Sequence, residues 1–195
     1  MNVYDFDQTI YHGDSTADFY FYCMRHKPLM LRSVPGTAGA FALYRAKRWT
    51  KTQFKQQMYR FLTAIGDSEQ MVRDFWRGHI RNIKPWYIEE TRRADDVVIS
   101  ASPEFLLGPA CRQLGIACLM ASRVDAHTGR YTGINCWGEE KVRRFREQFG
   151  EDAVIENFYS DSLSDAPLAR LAQNAWIVRG DARIPWEQWE RTHKK

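Results

Sequence analysis

Val3-Tyr4-Asp5-Phe6-Asp7-Gln8-Thr9 is a short apolar run that ends in two carboxylates one residue apart. This is the pattern of a buried strand whose carboxyl end meets solvent. Alternate residues of an extended segment share a face, so Asp5 and Asp7 can point towards one site. Two anions held that close repel each other unless a cation or a proton intervenes, and a divalent ion such as magnesium suits hard oxygen donors. An acidic strand terminus, or a turn capped by Asp5 and Asp7, would satisfy the same residues, so the rest of the chain has to decide.

Two later segments repeat the theme. Val97-Val98-Ile99-Ser100-Ala101-Ser102-Pro103 reads as a buried strand running into small polar residues at a helix start, where a hydroxyl and free backbone N–H groups form a phosphate cradle. Phe158-Tyr159-Ser160-Asp161-Ser162-Leu163-Ser164-Asp165 ends a third apolar run in two more carboxylates. Between them, Lys141 lies on a charged helix expected over 139–149. Each signal has a plain alternative: a helix N-cap for Ser100 or Ser102, a capped loop for Asp161 and Asp165, a solvated lysine for Lys141.

From Pro85 onward helices and strands alternate. Helices are expected over 86–93, 103–114, 139–149 and 166–173, and strands over 96–100, 117–120, 155–159 and 175–178. Thr128-Gly129 and Thr132-Gly133 bracket an expected hairpin, and Trp186 and Trp189 a terminal helix fraying at His193-Lys194-Lys195. Such alternation implies a mostly parallel α/β sheet covered by helices, with ligands outside the carboxyl ends of its strands. Residues 15–82 read instead as helices. Phe54, Met58, Phe61, Leu62 and Ile65 share a helical face after a Thr50 N-cap, and Asp67-Ser68-Glu69-Gln70 has capping-box spacing.

Taken in order, these motifs resemble the haloacid-dehalogenase (HAD) superfamily of aspartyl-nucleophile phosphatases, and within it the phosphoserine-phosphatase-like branch, subclass IB. The resemblance covers Val3 to about Val178. It implies a Rossmann-like catalytic core over residues 1–12 and 84–195, with a helical-bundle cap of the C1 type over 13–83. Asp5 is then the nucleophile and Asp7 the general acid and base. Thr9, Ser100, Ala101 and Lys141 hold the phosphoryl oxygens. Mg2+ is bound by Asp5, by the Asp7 backbone carbonyl and by Asp161, while Asp165 orients Lys141 or metal-bound water. An acid at Asp7 favours phosphate esters over halide removal. Gln8, where many relatives have Gly, is expected to point away from the site.

Composition constrains the setting. At 44% hydrophobic and 27% charged the chain is that of a soluble globular protein, without an apolar stretch long enough for a membrane span. No leader peptide is visible after Met1, and Cys23, Cys111, Cys118 and Cys136 form no CxxC pair, which together suggest reduced thiols in a cytoplasm. Between Phe19 and Gly66 there are nine Lys or Arg and no Asp or Glu. The remaining 19 basic residues of 28 face all 24 acidic ones. A small phosphorylated metabolite is the expected substrate, and the resemblance to phosphoserine phosphatases, which carry a Glu suited to an amino group shortly after the first motif, gives Asp14 that place here. One alternative is a phospholipid headgroup, with the basic cap making peripheral contact with an anionic membrane. A non-catalytic anion- or nucleic-acid-binding module is the other, but it would have no use for Asp5 beside Asp7, so no nucleic acid is expected as a partner.

Overall fold

The computed structural model describes residues 1–193, so the expected fraying at Lys194 and Lys195 lies outside the described residues. A six-stranded sheet forms the core, in the order β3 (Cys118–Ser122), β2 (Val97–Pro103), β1 (Asn2–Tyr4), β4 (Ile155–Ser160), β5 (Ala172–Arg179), β6 (Ala182–Pro185). The first five strands in that order are parallel and β6 is antiparallel. Strands covered on both faces should be almost wholly apolar. β1 and the first half of β2 are buried throughout, and Val3, Val97, Ile99, Phe158 and Ile177 pack into one cluster while Tyr4, Val98, Tyr159 and Val178 pack into the other. Register places Val3 beside Val97 and Phe158, so the ends of β1, β2 and β4 come out together.

Between β1 and β2 lie α1 (Ser15–His26), α2 (Val34–Arg45), α3 (Lys51–Tyr59) and α4 (Ser68–His79), joined in part by 3₁₀ turns at Pro28–Ser33 and Arg60–Ala64. Their starts are set locally. Asp14 accepts from the Ala17 N–H, Thr50 and Gln53 form a reciprocal capping box, and Asp67 accepts from the Gln70 N–H. Phe19, Phe61 and Phe75 meet edge-on or tilted inside this region, and Trp76 stacks its edge against Phe6 and Tyr11 beside the sheet.

α5 (Glu104–Gln113) follows β2, and α6 (Glu139–Phe149) spans the residues expected of it. Elsewhere the structure corrects the sequence reading. The helix expected over 86–93 is present but ends early, as a π-helical turn at Tyr87–Thr91, where the Thr91 carbonyl accepts from Asn2 Nδ2 and Tyr4 Oη instead of continuing the helix. The helix expected to reach Gln173 stops as α7 (Ala166–Ala169), since Ala172 already pairs with Ile155 and strand pairing overrides the local helix preference of Ala and Leu. β6 was not expected. Its signal was Gly180-Asp181, a two-residue hairpin loop with Gly180 at φ +59°, and Pro185 is tolerated there because β6 is an edge strand. α8 (Trp186–His193) closes the described chain.

The hairpin expected around Arg130-Tyr131 is a loop with a single bridge from Val124 to Tyr131, its turn held by Asp125 accepting from His127, Thr128 N and Thr128 Oγ1. Gly129 sits at φ +70° with its Cα against the backbone of Tyr59, where an added Cβ would overlap the carbonyl group. Gly129→Ala is therefore expected to destabilise the protein by about 2–4 kcal/mol, combining left-handed backbone strain and steric overlap. Urea denaturation measures this, and a loss below about 0.5 kcal/mol, the range of an ordinary surface change, would show that the loop does not press on α3.

Candidate active site

The carboxyl ends of β1, β2 and β4 open into one cavity of about 170 Å³. Asp5 leaves β1 with its N–H bonded to the Tyr159 carbonyl at 2.9 Å, so the strand pairing with β4 sets its position. Lys141, in the first turn of α6, is buried and reaches Asp5 Oδ1 at 3.1 Å and Asp165 Oδ2 at 2.8 Å. Ser160 Oγ donates to the same Asp165 oxygen at 2.7 Å, while Asp165 Oδ1 is buried without a partner. Asp161 lines the cavity from the loop after β4. Ser100 is buried midway along β2, and its hydroxyl accepts from the Ser102 N–H at 3.1 Å.

Asp7 is held through both oxygens. Oδ1 accepts from the Ser15 N–H at 2.7 Å, and Oδ2 from the Ser102 hydroxyl. Gln8, next in the chain, adopts φ +58°, a left-handed conformation in which glycine would be unstrained. It is exposed and is among the residues that line the cavity. Thr9 is fully buried, its hydroxyl has no hydrogen-bond partner, and it is not among the residues lining the cavity.

The electrostatics are those of a site short of positive charge. Five carboxylates (Asp5, Asp7, Asp14, Asp161, Asp165) and three lysines (Lys51, Lys55, Lys141) line the cavity. Burial pushes the Asp5 carboxyl up to about 7. Lys141 opposes that rise, and Asp165, Asp161 and Asp7 reinforce it. Asp7 is pushed up to about 6 by burial and then by the charge of Asp14, against the hydrogen bonds from Ser102 and Ser15. Asp161 is raised by burial and by Asp165. Burial lowers Lys141, but Asp5 and Asp165 outweigh it and hold the ammonium above the ordinary lysine value.

A cavity with this charge excess repels a phosphate dianion unless a dication is added. Asp5, Asp7 and Asp161 line the cavity, so the expected set of two carboxylates and the Asp7 carbonyl would offer hard oxygens there, and the orphaned Asp165 Oδ1 can accept from a bound water. Among the described residues no three His, Cys, Asp or Glu side chains group closely enough to hold an ion by themselves. A set of two carboxylates and one carbonyl fits magnesium, which keeps several of its waters. The donor set therefore fits the ion.

Three contributors to the cavity were not expected from the sequence. Lys51 and Lys55 enter the cavity from α3, with Lys55 Nζ donating to the Ala101 carbonyl at 3.1 Å. Ser102 was read only as part of a helix start. The signal for the lysines was the acid-free stretch itself, and their i, i+4 spacing puts both on one face of α3. Asp14 caps α1 and lines the cavity at once.

The family model described as haloacid dehalogenase-like hydrolase matches residues 3–170. A probable phosphatase of Mycobacterium tuberculosis is 38% identical over 93 residues, covering 45% of this chain and 32% of that protein. A histidinol-phosphatase of Neisseria meningitidis is 29% identical over 126 residues, 58% of this chain and 57% of that one. The matched segment thus spans about a third of the first of these relatives and just over half of the second. A Bordetella pertussis protein described as of unknown function has the same fold, with a TM-score of 0.70 at 21% identity over 91% of this chain and 88% of that one.

Proposed function

This chain belongs to the haloacid dehalogenase-like hydrolase family, and from that premise we propose that it is a magnesium-dependent phosphatase of phosphomonoesters, with Asp5 as nucleophile and Asp7 as general acid and base. The observation that carries the reading is the convergence of three strand ends on one small cavity, with Asp5 Oδ1 3.1 Å from a buried lysine and Asp7 fixed through both oxygens. The names of two matching proteins, a probable phosphatase and a histidinol-phosphatase, support the same class of reaction.

The residues divide the work as follows. Asp5 attacks phosphorus, a bond forming from its oxygen as the ester P–O bond breaks. Asp7 gives its proton to the departing oxygen and then takes one from the water that cleaves the aspartyl-phosphate. Ser100, Ala101 and Lys141 cradle the phosphoryl oxygens where negative charge gathers, and Lys141 is kept in place by Asp165. Magnesium, when bound by Asp5, the Asp7 carbonyl and Asp161, supplies the positive charge that lets an anion approach an anion. Thr9 would have to turn its buried hydroxyl to join the cradle.

The helical region over 13–83 acts in this reading as a cap, with Lys51 and Lys55 of α3 lining the cavity on the side a leaving group would occupy. A cavity of about 170 Å³ favours a small phosphorylated metabolite. A second reading, a phospholipid-headgroup phosphate at an anionic membrane surface, is favoured by one observation. Phe21, Leu29, Leu31 and Phe41 are 50–62% exposed within the stretch that lacks acidic residues. No helix among the described residues is long and apolar enough to cross a membrane.

Phosphate release from amino-acid, sugar, nucleotide and lipid-headgroup phosphates, with magnesium and with EDTA, tests the proposal. Turnover is expected only with the metal, and highest on a small ester. Preference for the lipid phosphate on anionic vesicles would select the second reading. No release from any member together with no magnesium binding would refute both.

A further inference from the structure

We propose that Ser102 is a positioning residue that aims Asp7 at the leaving-group oxygen, and that Thr16 of α1 in turn sets the direction of the Ser102 hydroxyl. The inference rests on the reading of Asp7 as the general acid. Ser102 is buried at the end of β2, its N–H tied to Ser100 Oγ at 3.1 Å, and Pro103 after it restricts its backbone to extended conformations. Its hydroxyl contacts Asp7 Oδ2 on one side and Thr16 Oγ1, at 3.1 Å and also buried, on the other.

A serine hydroxyl has one proton to give. Once Ser102 donates it to Asp7, the Thr16 contact can be a hydrogen bond only if Thr16 is the donor. The chain Thr16 to Ser102 to Asp7 then runs in one direction, from the inserted helical region into the core. With Ser15 N–H on Oδ1, the carboxyl plane is fixed from both ends. Each oxygen keeps a second lone pair, so a proton can be carried on Asp7 without breaking either contact. Proton transfer to the ester oxygen as the P–O bond breaks demands that Asp7 lie within hydrogen-bond reach and in line, and a free carboxyl rotor would seldom satisfy both. α1 has to be seated for Thr16 to reach Ser102, so alignment of the acid depends on how α1 packs against the end of β2.

The test is leaving-group dependence. kcat/KM, which reports the steps through departure of the leaving group, is measured for an alkyl phosphate, which needs a proton, and for p-nitrophenyl phosphate, whose leaving group departs unprotonated. Ser102→Ala is expected to lower kcat/KM on the alkyl ester by about 10–100-fold, part of what a general acid contributes, and on the aryl ester by less than about threefold. Ser102→Thr, which keeps a hydroxyl, is expected to restore most of the alkyl-ester rate, and Thr16→Val to show the same selective loss in weaker form. Equal losses on the two esters would overturn the proposal by reducing Ser102 to a packing or folding role, and so would no loss on either. Thermal melts of each variant identify one that has merely unfolded, in which case Ser102→Thr and Thr16→Val decide. Wild type inactive on both esters would instead overturn the phosphatase reading itself, and this inference with it.

Discussion

Asp5→Asn is expected to cut turnover on every phosphoester by a factor on the order of 10⁴ or more, because an amide offers no anionic oxygen to attack phosphorus. The structure separates that loss from a folding defect. Asn has nearly the shape of Asp, and the Asp5 backbone N–H that pairs with Tyr159 is untouched. Lys141 retains Asp165 at 2.8 Å, so the buried ammonium keeps a carboxylate partner. The change also removes one charge from a cavity where acids outnumber lysines, and burial together with Asp165, Asp161 and Asp7 already disfavours the ionised Asp5. Without metal, the variant should therefore melt no lower than wild type. Calorimetry beside a phosphate-release assay checks both halves. Retained turnover would remove Asp5 from the mechanism, and a lower melting temperature would mean that Asp5 is needed to neutralise Lys141.

Most of the core was readable because its central strands β1, β2 and β4 are largely buried and announce themselves as apolar runs. Val97-Val98-Ile99 and Phe158-Tyr159 needed no tertiary knowledge, and α6 was bounded by Gly138 and Gly150, both at positive φ. β6 carries no such run, and Ala172–Asn174 pair as strand despite a local preference for helix. Those are cases in which the partner strand, and not the segment, decides. At the site, Asp5, Asp7, Ser100, Lys141, Asp161 and Asp165 were named by residue type and order, and they line one cavity. Lys55 and Ser102 were invisible for a different reason. Lys55 is one of nine basic residues in its stretch, and only the turn of α3 distinguishes it from the solvated ones. Ser102 depends on a rotamer and on Thr16, 86 positions away in the chain. Thr9 shows the converse. Its place in the motif is intact, yet its hydroxyl lies buried outside the cavity lining.

Lys141→Met should be the most damaging single change to the fold as well as to the chemistry. Lys141 is buried with its ammonium shared between Asp5 and Asp165. Removing it leaves two carboxylates facing each other with Ser160 Oγ as one remaining donor. Stripping the partner from a buried ion pair costs about 3–5 kcal/mol, a large part of the 5–15 kcal/mol by which a domain of this size is stable. Turnover is expected to vanish with the lysine, since its ammonium is the buried cation in contact with Asp5. The double variant Lys141→Met/Asp165→Asn separates the two effects. It removes one buried anion along with the cation, and it is expected to recover about 2 kcal/mol or more of the lost stability while restoring no activity, a coupling that a double-mutant cycle reads directly. Additive losses would mean that the pair is solvated and structurally idle. Recovered turnover without the lysine would mean that the charge on the phosphoryl group is met elsewhere, and Lys55, entering from α3 with its ammonium 3.1 Å from the Ala101 carbonyl, is the group already placed to do it.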